Sequence, residues 1–243
     1  LRSTVDQLQR LATLVRDRTS HDMWRALSRL HERLHHPAKA ETLLSGEATA
    51  VLNDTLLGLA AFHGLARENM TRAQAWRFLD MGLRLERAVY ISTLLNATLR
   101  LQDPENPSML EAVLEVVDSS ITFRSRYNLV ATLPAVFDLV LLDDKNPRSV
   151  LFQAKQLAKH FEKLPKEREE APDSGKNLLA KCVKRLEKVD TRELAGATDR
   201  LAKSEVQAAI TETLQTLPRL SNAIAANYFA HTTISRTGRG NES

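Results

Sequence analysis

A single cysteine, Cys182, is all the 243-residue chain contains. No intrachain disulfide can form, and a reducing, cytoplasmic setting is the natural expectation. Glycine and proline are scarce at eight each, and aromatic residues make up 5%. So few breakers, with Leu, Ala, Glu, Lys and Arg abundant, favour an all-helical protein. No apolar run approaches the roughly 20 residues that span a bilayer, and no signal-peptide pattern opens the chain, so no membrane is expected as a partner. Charge is nearly balanced: a net +4 falls short of a nucleic-acid footprint, and no nucleic-acid partner is expected. Phosphate-binding glycine loops, nucleophile elbows and two-carboxylate metal repeats are missing, which leaves no cofactor to expect. Strand alternation and hairpin turns are absent throughout. The first residue is Leu1 rather than Met, so the chain reads as a trimmed or processed piece of a longer one.

What the chain does have is legible helix punctuation. Ser3 is placed to cap a first helix with Val5, Leu8, Leu11, Ala12 and Val15 on its inner face. Ser20 opens a second, with Met23, Leu27, Leu30 and Leu34 inward, stopped before Pro37. A third runs from about Glu47 to Asn69. Capping boxes at Thr71–Gln74 and Ser108–Glu111 start two more, the first of them reaching about Leu101. Pro134 and Pro147 suit first helical turns, the latter behind Asn146 as cap. Leu151, Ala154, Leu157, Ala158 and Phe161 stripe the helix that follows. Leu178, Cys182, Leu186 and Val189 stripe the next, and a last helix spans about 198–231 with Pro218 a kink point. The expected fold is an all-α multi-helix bundle of about eight to nine helices without a sheet. Residues 1–164 form its core, and 165–175 a charged loop or linker. Residues 176–234 supply C-terminal helices packing on the same bundle, and 235–243 a disordered tail.

Residues 31–35 read H-E-R-L-H, a literal zinc-peptidase pattern in which His31 and His35 would bind the metal and Glu32 activate its water. With Leu27 at zero on a helical wheel, His31 lies about 40° away and His35 about 80°. The first flanks the apolar face and the second drifts to solvent. A zinc site needs a third protein ligand, and no spacing supplies one. The pattern is therefore read as a solvated face, with no metal expected; a zinc hydrolase is the lesser alternative.

The charges of the Thr71 helix carry more. With Arg77 at zero, Phe78, Leu79, Gly82, Leu83, Val89 and Tyr90 cover roughly 100° to 240°, and Glu86 sits among them near 180°. A carboxylate there needs a partner. Arg124 continues the apolar stripe Leu110–Val113–Val117–Ile121 of the next helix and is the first candidate for a structural ion pair; the alternative is a polar ligand site built on Glu86, Arg124 and nearby His63. Glu86→Ala is thus expected to cost far more stability than Asp80→Ala. Arg77, Asp80, Arg84 and Arg87 run down the opposite side, Asp80 and Arg84 being spaced for an ion pair. Arg77 and Arg84 are expected to point outward as a contact surface. Further polar groups gather at helix ends: Asn69 with Arg72, Arg126 with Tyr127, Asp144 with Arg148, and Tyr228 with His231. Each reads as ordinary capping or as an anion-binding end.

M-T-R-A-Q-A-W-R-F-L-D-M-G-L-R-L-E-R-A (70–88), T-F-R-S-R-Y (122–127), D-L-V-L-L-D-D-K-N-P-R-S (138–149) and N-Y-F-A-H (227–231) together resemble the alpha-E family. This is a bacterial all-helical domain named for a Glu-Arg motif, here Glu86-Arg87. Stand-alone members begin with a further helix bearing an earlier Glu-Arg copy, which this chain lacks. The resemblance implies genes beside, or fused to, a circularly permuted ATP-grasp ligase, often near a transglutaminase-like protease. It therefore implies a non-catalytic helical partner or substrate-binding domain in peptide or amide synthesis or modification. The rival is an enzyme in its own right, using Glu86 and the arginines on an acyl or phosphorylated intermediate.

Overall fold

A computed structural model describes residues 1–35, 45–127, 130–165, 174–195 and 204–229. Among these residues there are ten α-helices and no strand. Two compact units divide the chain, Leu1–Leu79 and Asp80–Ser243. The division falls inside a helix. Most of the expected 165–175 linker, and the expected tail, lie outside the described residues.

The N-terminal unit holds α1 (Arg2–Leu14), α2 (His21–His35), α3 (Ser45–Asn69) and the opening of α4 (Gln74–Thr98). Ser20 caps α2 as expected, its hydroxyl accepting from the Met23 amide at 3.3 Å. Ser3 caps nothing, because α1 already begins at Arg2. α1 packs on α2 and α2 on α3. Gln9 reaches Ser28 and Asp6 reaches His31, so the α1–α2 pair is antiparallel. Met23, Leu27, Phe62, Ala66 and Ala12 form one buried cluster, and Val5, Leu30 and Leu34 another. Leu11, expected inside, is 61% exposed.

The C-terminal unit takes the rest of α4, then α5 (Pro107–Val116), α6 (Ser120–Tyr127), α7 (Leu133–Phe137), α8 (Val150–Phe161), α9 (Gly175–Leu186) and α10 (Glu205–Ile224). α8 packs on α9 and α9 on α10. Their facing sides bury Leu157, Leu179, Leu186, Ile210 and Leu217 almost completely. α10 remains one helix through Pro218. Short π-helical turns follow α7 at Asp138–Leu142 and α10 at Ala225–Phe229.

Three local chemistries differ from the expected boundaries. α5 starts two residues early because the Asn106 side chain accepts from the Ser108 and Met109 amides, with Pro107 in the first turn. α8 is capped by Ser149, not Asn146. Asn146 is instead a buried tie, donating to the Leu139 carbonyl at 3.0 Å and accepting from the Arg148 amide at 3.0 Å. Between α5 and α6 the helix stops. Ser119 N–H bonds the Leu114 carbonyl, Asp118 N–H bonds that of Glu115, and Asp118 adopts φ 53°. This is a Schellman ending with Asp in the left-handed position, which a short polar side chain tolerates. The stop splits one expected helix in two and brings the count to ten.

Candidate functional site

The face of α4 that packs inward in the C-terminal unit runs through Met81, Ala88, Ile91, Ser92 and Leu95. Asp80 and Arg84 lie along that side. Arg84 Nε donates to Asp80 Oδ2 at 2.6 Å and Nη2 to Oδ1 at 3.3 Å, with both side chains only about one-fifth exposed. The i, i+4 ion pair read from spacing is therefore present, but it is covered rather than outward. Two α8 residues complete it. His160 Nε2 meets Asp80 Oδ2 at 2.5 Å, and Gln153 Oε1 accepts from Arg84 Nη1 at 3.3 Å while its amide donates to the Pro147 carbonyl. Burial alone would raise the Asp80 carboxyl, but hydrogen bonds from His160 and Arg84, and their charges, outweigh it and hold the group below its ordinary value. His160 and Gln153 were not singled out by sequence. Their signal was there: both fall on the inner side of the α8 stripe, where a polar residue needs a partner.

One helical turn beyond Arg84 stands Arg87, half-buried. It makes no hydrogen bond and no ion pair among the described residues. Burial first, then the charges of Arg148 and Arg84, push its guanidinium below the ordinary value, while Glu86 and Asp80 pull weakly the other way. Arg148 is itself held by Asp118 at 2.9 Å. The αL ending of α5 thus positions the carboxylate that orients Arg148. Nearby in sequence, Arg126 pairs with Asp143, and the Tyr127 hydroxyl donates to Asp138 at 2.5 Å. Burial and that hydrogen bond raise the Tyr127 phenol well above its usual range. Asp144 is exposed and pairs with Lys155 at 2.9 Å.

The expected Glu86–Arg124 pair does not form. Glu86 is exposed and lines an open groove of about 570 Å³ with Gly82, Tyr90, Leu217 and Pro218. Arg124, also exposed, lines a different groove with Glu111 and Glu115. Two causes explain the miss. α4 is apolar on more than one side, and the covered side is the small-residue one, where Ala88 and Ser92 allow close packing. The Schellman stop resets the phase of α6, leaving Ile121 83% exposed and turning Arg124 off the α5 stripe.

The remaining candidates are dispersed. In the N-terminal unit, Arg72 donates to the Arg67 carbonyl and lies 4.4 Å over Trp76, while Arg77 donates to the Arg72 carbonyl at 3.2 Å. This clamp, not a capping box, closes the α3–α4 corner, since α4 begins only at Gln74. Asn69 ends α3 exposed, and His63 is half-buried beside Phe62. In the C-terminal unit the Tyr228 hydroxyl donates to the Pro165 carbonyl at 3.0 Å; His231 lies outside the described residues.

His31 and His35 flank the buried stripe of α2 as the wheel indicated, half-buried and exposed respectively. Contrary to expectation, a third ligand converges on them. Asp6 of α1 places Oδ1 3.0 Å from His31 Nε2 and 2.7 Å from His35 Nε2, and the two rings lie 4.5 Å apart. Among the described residues, Asp6, His31 and His35 form a group that could hold a metal.

Comparison with known proteins accords with this architecture. Residues 1–229 match the model of alpha-E, described as a predicted alpha-helical domain with a conserved ER motif. Over 168 residues, or 67% of this chain, the sequence is 33% identical to uncharacterized proteins of Mycobacterium bovis and of two Mycobacterium tuberculosis strains. The match covers 19% of each relative's length, so the chain corresponds to a fraction of those proteins. No solved structure matches. With its helices, its Glu86-Arg87 dipeptide and this match over residues 1–229, the chain belongs to the alpha-E family.

Proposed function

We propose that the chain is a non-catalytic helical domain that presents an anionic substrate group, a carboxylate or acyl phosphate, to an ATP-grasp-type peptide or amide ligase. The observation that carries this reading is Arg87, the arginine of the Glu-Arg motif. It is half-buried, has no hydrogen-bond or ion-pair partner among the described residues, and feels two further arginines more strongly than the carboxylates of Glu86 and Asp80. A half-covered guanidinium without a direct ion-pair partner among the described residues is costly, and a bidentate anion would relieve that cost. Carboxylates and acyl phosphates are the groups such ligases handle. The gene context implied by the family resemblance supplies the partner, separate or fused, with a transglutaminase-like protease in the same pathway. That the relatives extend far beyond the matched segment accords with a domain that works beside others.

The test is co-purification from native cells followed by ligation with and without the chain. Arg87→Ala, with circular dichroism as the folding control, is expected to cut ligation or complex formation at least about tenfold, the loss of one charge-assisted bidentate contact. Exposed Arg100→Ala is expected to change neither. Turnover of substrate by the isolated chain would establish an enzyme instead.

A further inference from the structure

We infer that Asp6, His31 and His35 form a binding site for a divalent transition metal of the zinc class, joining α1 to α2. The residues come from two helices 25 positions apart, yet three donor atoms, one carboxylate oxygen and two imidazole Nε2 atoms, lie within 4.8 Å of one another. Tetrahedral zinc, with bonds of about 2.0–2.2 Å, needs its ligand atoms about 3.3–3.6 Å apart. The Asp6 oxygen already stands 3.0 and 2.7 Å from the two nitrogens. A small opening admits the ion.

The helix supplies the rest of the geometry. His31 and His35 are one turn apart on one face, and their rings are tilted by only 30°, so both Nε2 atoms point to one place. His31 Nε2 is hydrogen-bonded to Asp6 Oδ1 at 3.0 Å, and His35 Nε2 lies 2.7 Å from the same oxygen. On binding, the Nε2 proton leaves, to Nδ1 by way of water for a neutral ring or to solvent for a doubly protonated one, and the freed Nε2 lone pair faces the metal while Nδ1 carries the ring's remaining proton. Imidazole with carboxylate suits zinc, cobalt or nickel better than magnesium or calcium. Three protein ligands leave a position for water or for a group from a partner.

The binding role does not extend to peptide cleavage. Glu32, the base of the peptidase pattern, is exposed on the next helical position and turned about 100° from His31 around the helix. The site's consequence is a clip between α1 and α2.

The experiment is calorimetric titration of the intact chain with zinc chloride, paralleled by cobalt chloride with visible absorption, which reports tetrahedral nitrogen–oxygen coordination. One saturable equivalent is expected, with cobalt absorption displaced by zinc. His35→Ala and the nearly isosteric Asp6→Asn should each weaken binding by more than about tenfold, because even changes outside the ligand set cost about 10–100-fold. His21→Ala, exposed at the start of α2, should leave it unchanged. Absence of saturable binding, or binding unaltered in Asp6→Asn, would overturn the assignment. Should His35→Ala fail to fold, Asp6→Asn decides alone.

Discussion

In the N-terminal unit one carboxylate, Asp6, faces two imidazoles on the surface of a helix pair; in the C-terminal unit another, Asp80, faces an imidazole and a guanidinium under cover. The donor chemistry is nearly the same. Asp6 keeps 44% of its side-chain exposure and its histidines about a third, whereas Asp80 and Arg84 keep a fifth and His160 9%. Water decides what each set can do. At the surface a bond between charges is worth about 0–1 kcal/mol and can be traded for a ligand. Under cover the partners depend on one another, because stripping one leaves the others desolvated without compensation. The open set is available and the closed set is structural.

The largest expected effect would come from the closed set. Asp80→Ala should destabilise the protein by about 3 kcal/mol, the low end of the range for breaking a buried pair, since Arg84 and His160 lose their counter-charge. Chemical denaturation at neutral pH measures it. Loss below 1 kcal/mol would erase the contrast with Asp6.

Acid sharpens the same comparison. Asp80 has its carboxyl pKa lowered in the folded state, so between the folded and unfolded values the unfolded chain binds the extra proton. Its contribution is complete above the unfolded carboxylate pKa of about 3.9 and is lost as pH falls through the lower folded value. Denaturation midpoints of wild type and Asp80→Asn should therefore converge as the pH is taken below about 4. Parallel curves down to strong acid would break the linkage.

Smaller effects are expected at the surface. Asp6→Ala without metal should cost no more than about 1 kcal/mol. Glu86→Ala, on an exposed groove wall, should stay within about 0.5 kcal/mol. That order, Asp80 far above Glu86, reverses the one the helical wheel suggested.

The helices themselves were legible. Ser20, Pro134 and the stripe Leu151–Ala154–Leu157–Phe161 sit in the structure where propensity and periodicity placed them. The Asp80–Arg84 pair was legible too, because i, i+4 contact is local. Less could be read where the answer depended on which neighbour covers a helix. α4 offers more than one apolar side, so no wheel could tell that Ala88 and Ser92 would be inside and Glu86 outside. A left-handed ending at Asp118, without glycine, left no strong local sign that α5 would stop. Asp6 does not show in the sequence of α2 by itself, because it lies on α1. An antiparallel α1–α2 pair with a short turn brings the start of α1 to the end of α2, and Asp6 flanks Val5 much as His31 flanks Leu30 and Leu34.

Thermal unfolding of wild type, Asp6→Asn and Asp80→Asn, each with and without zinc at about a hundredfold excess over its dissociation constant, tests the division between open and closed sets most directly. Binding only the folded state at that excess stabilises by about 2.7 kcal/mol, or about 5–10 °C for a chain of this size. Zinc should raise the melting temperature of wild type and of Asp80→Asn but not of Asp6→Asn, while without zinc only Asp80→Asn should melt markedly lower. Equal zinc protection in Asp6→Asn, or equal metal-free destabilisation in both variants, would contradict that division.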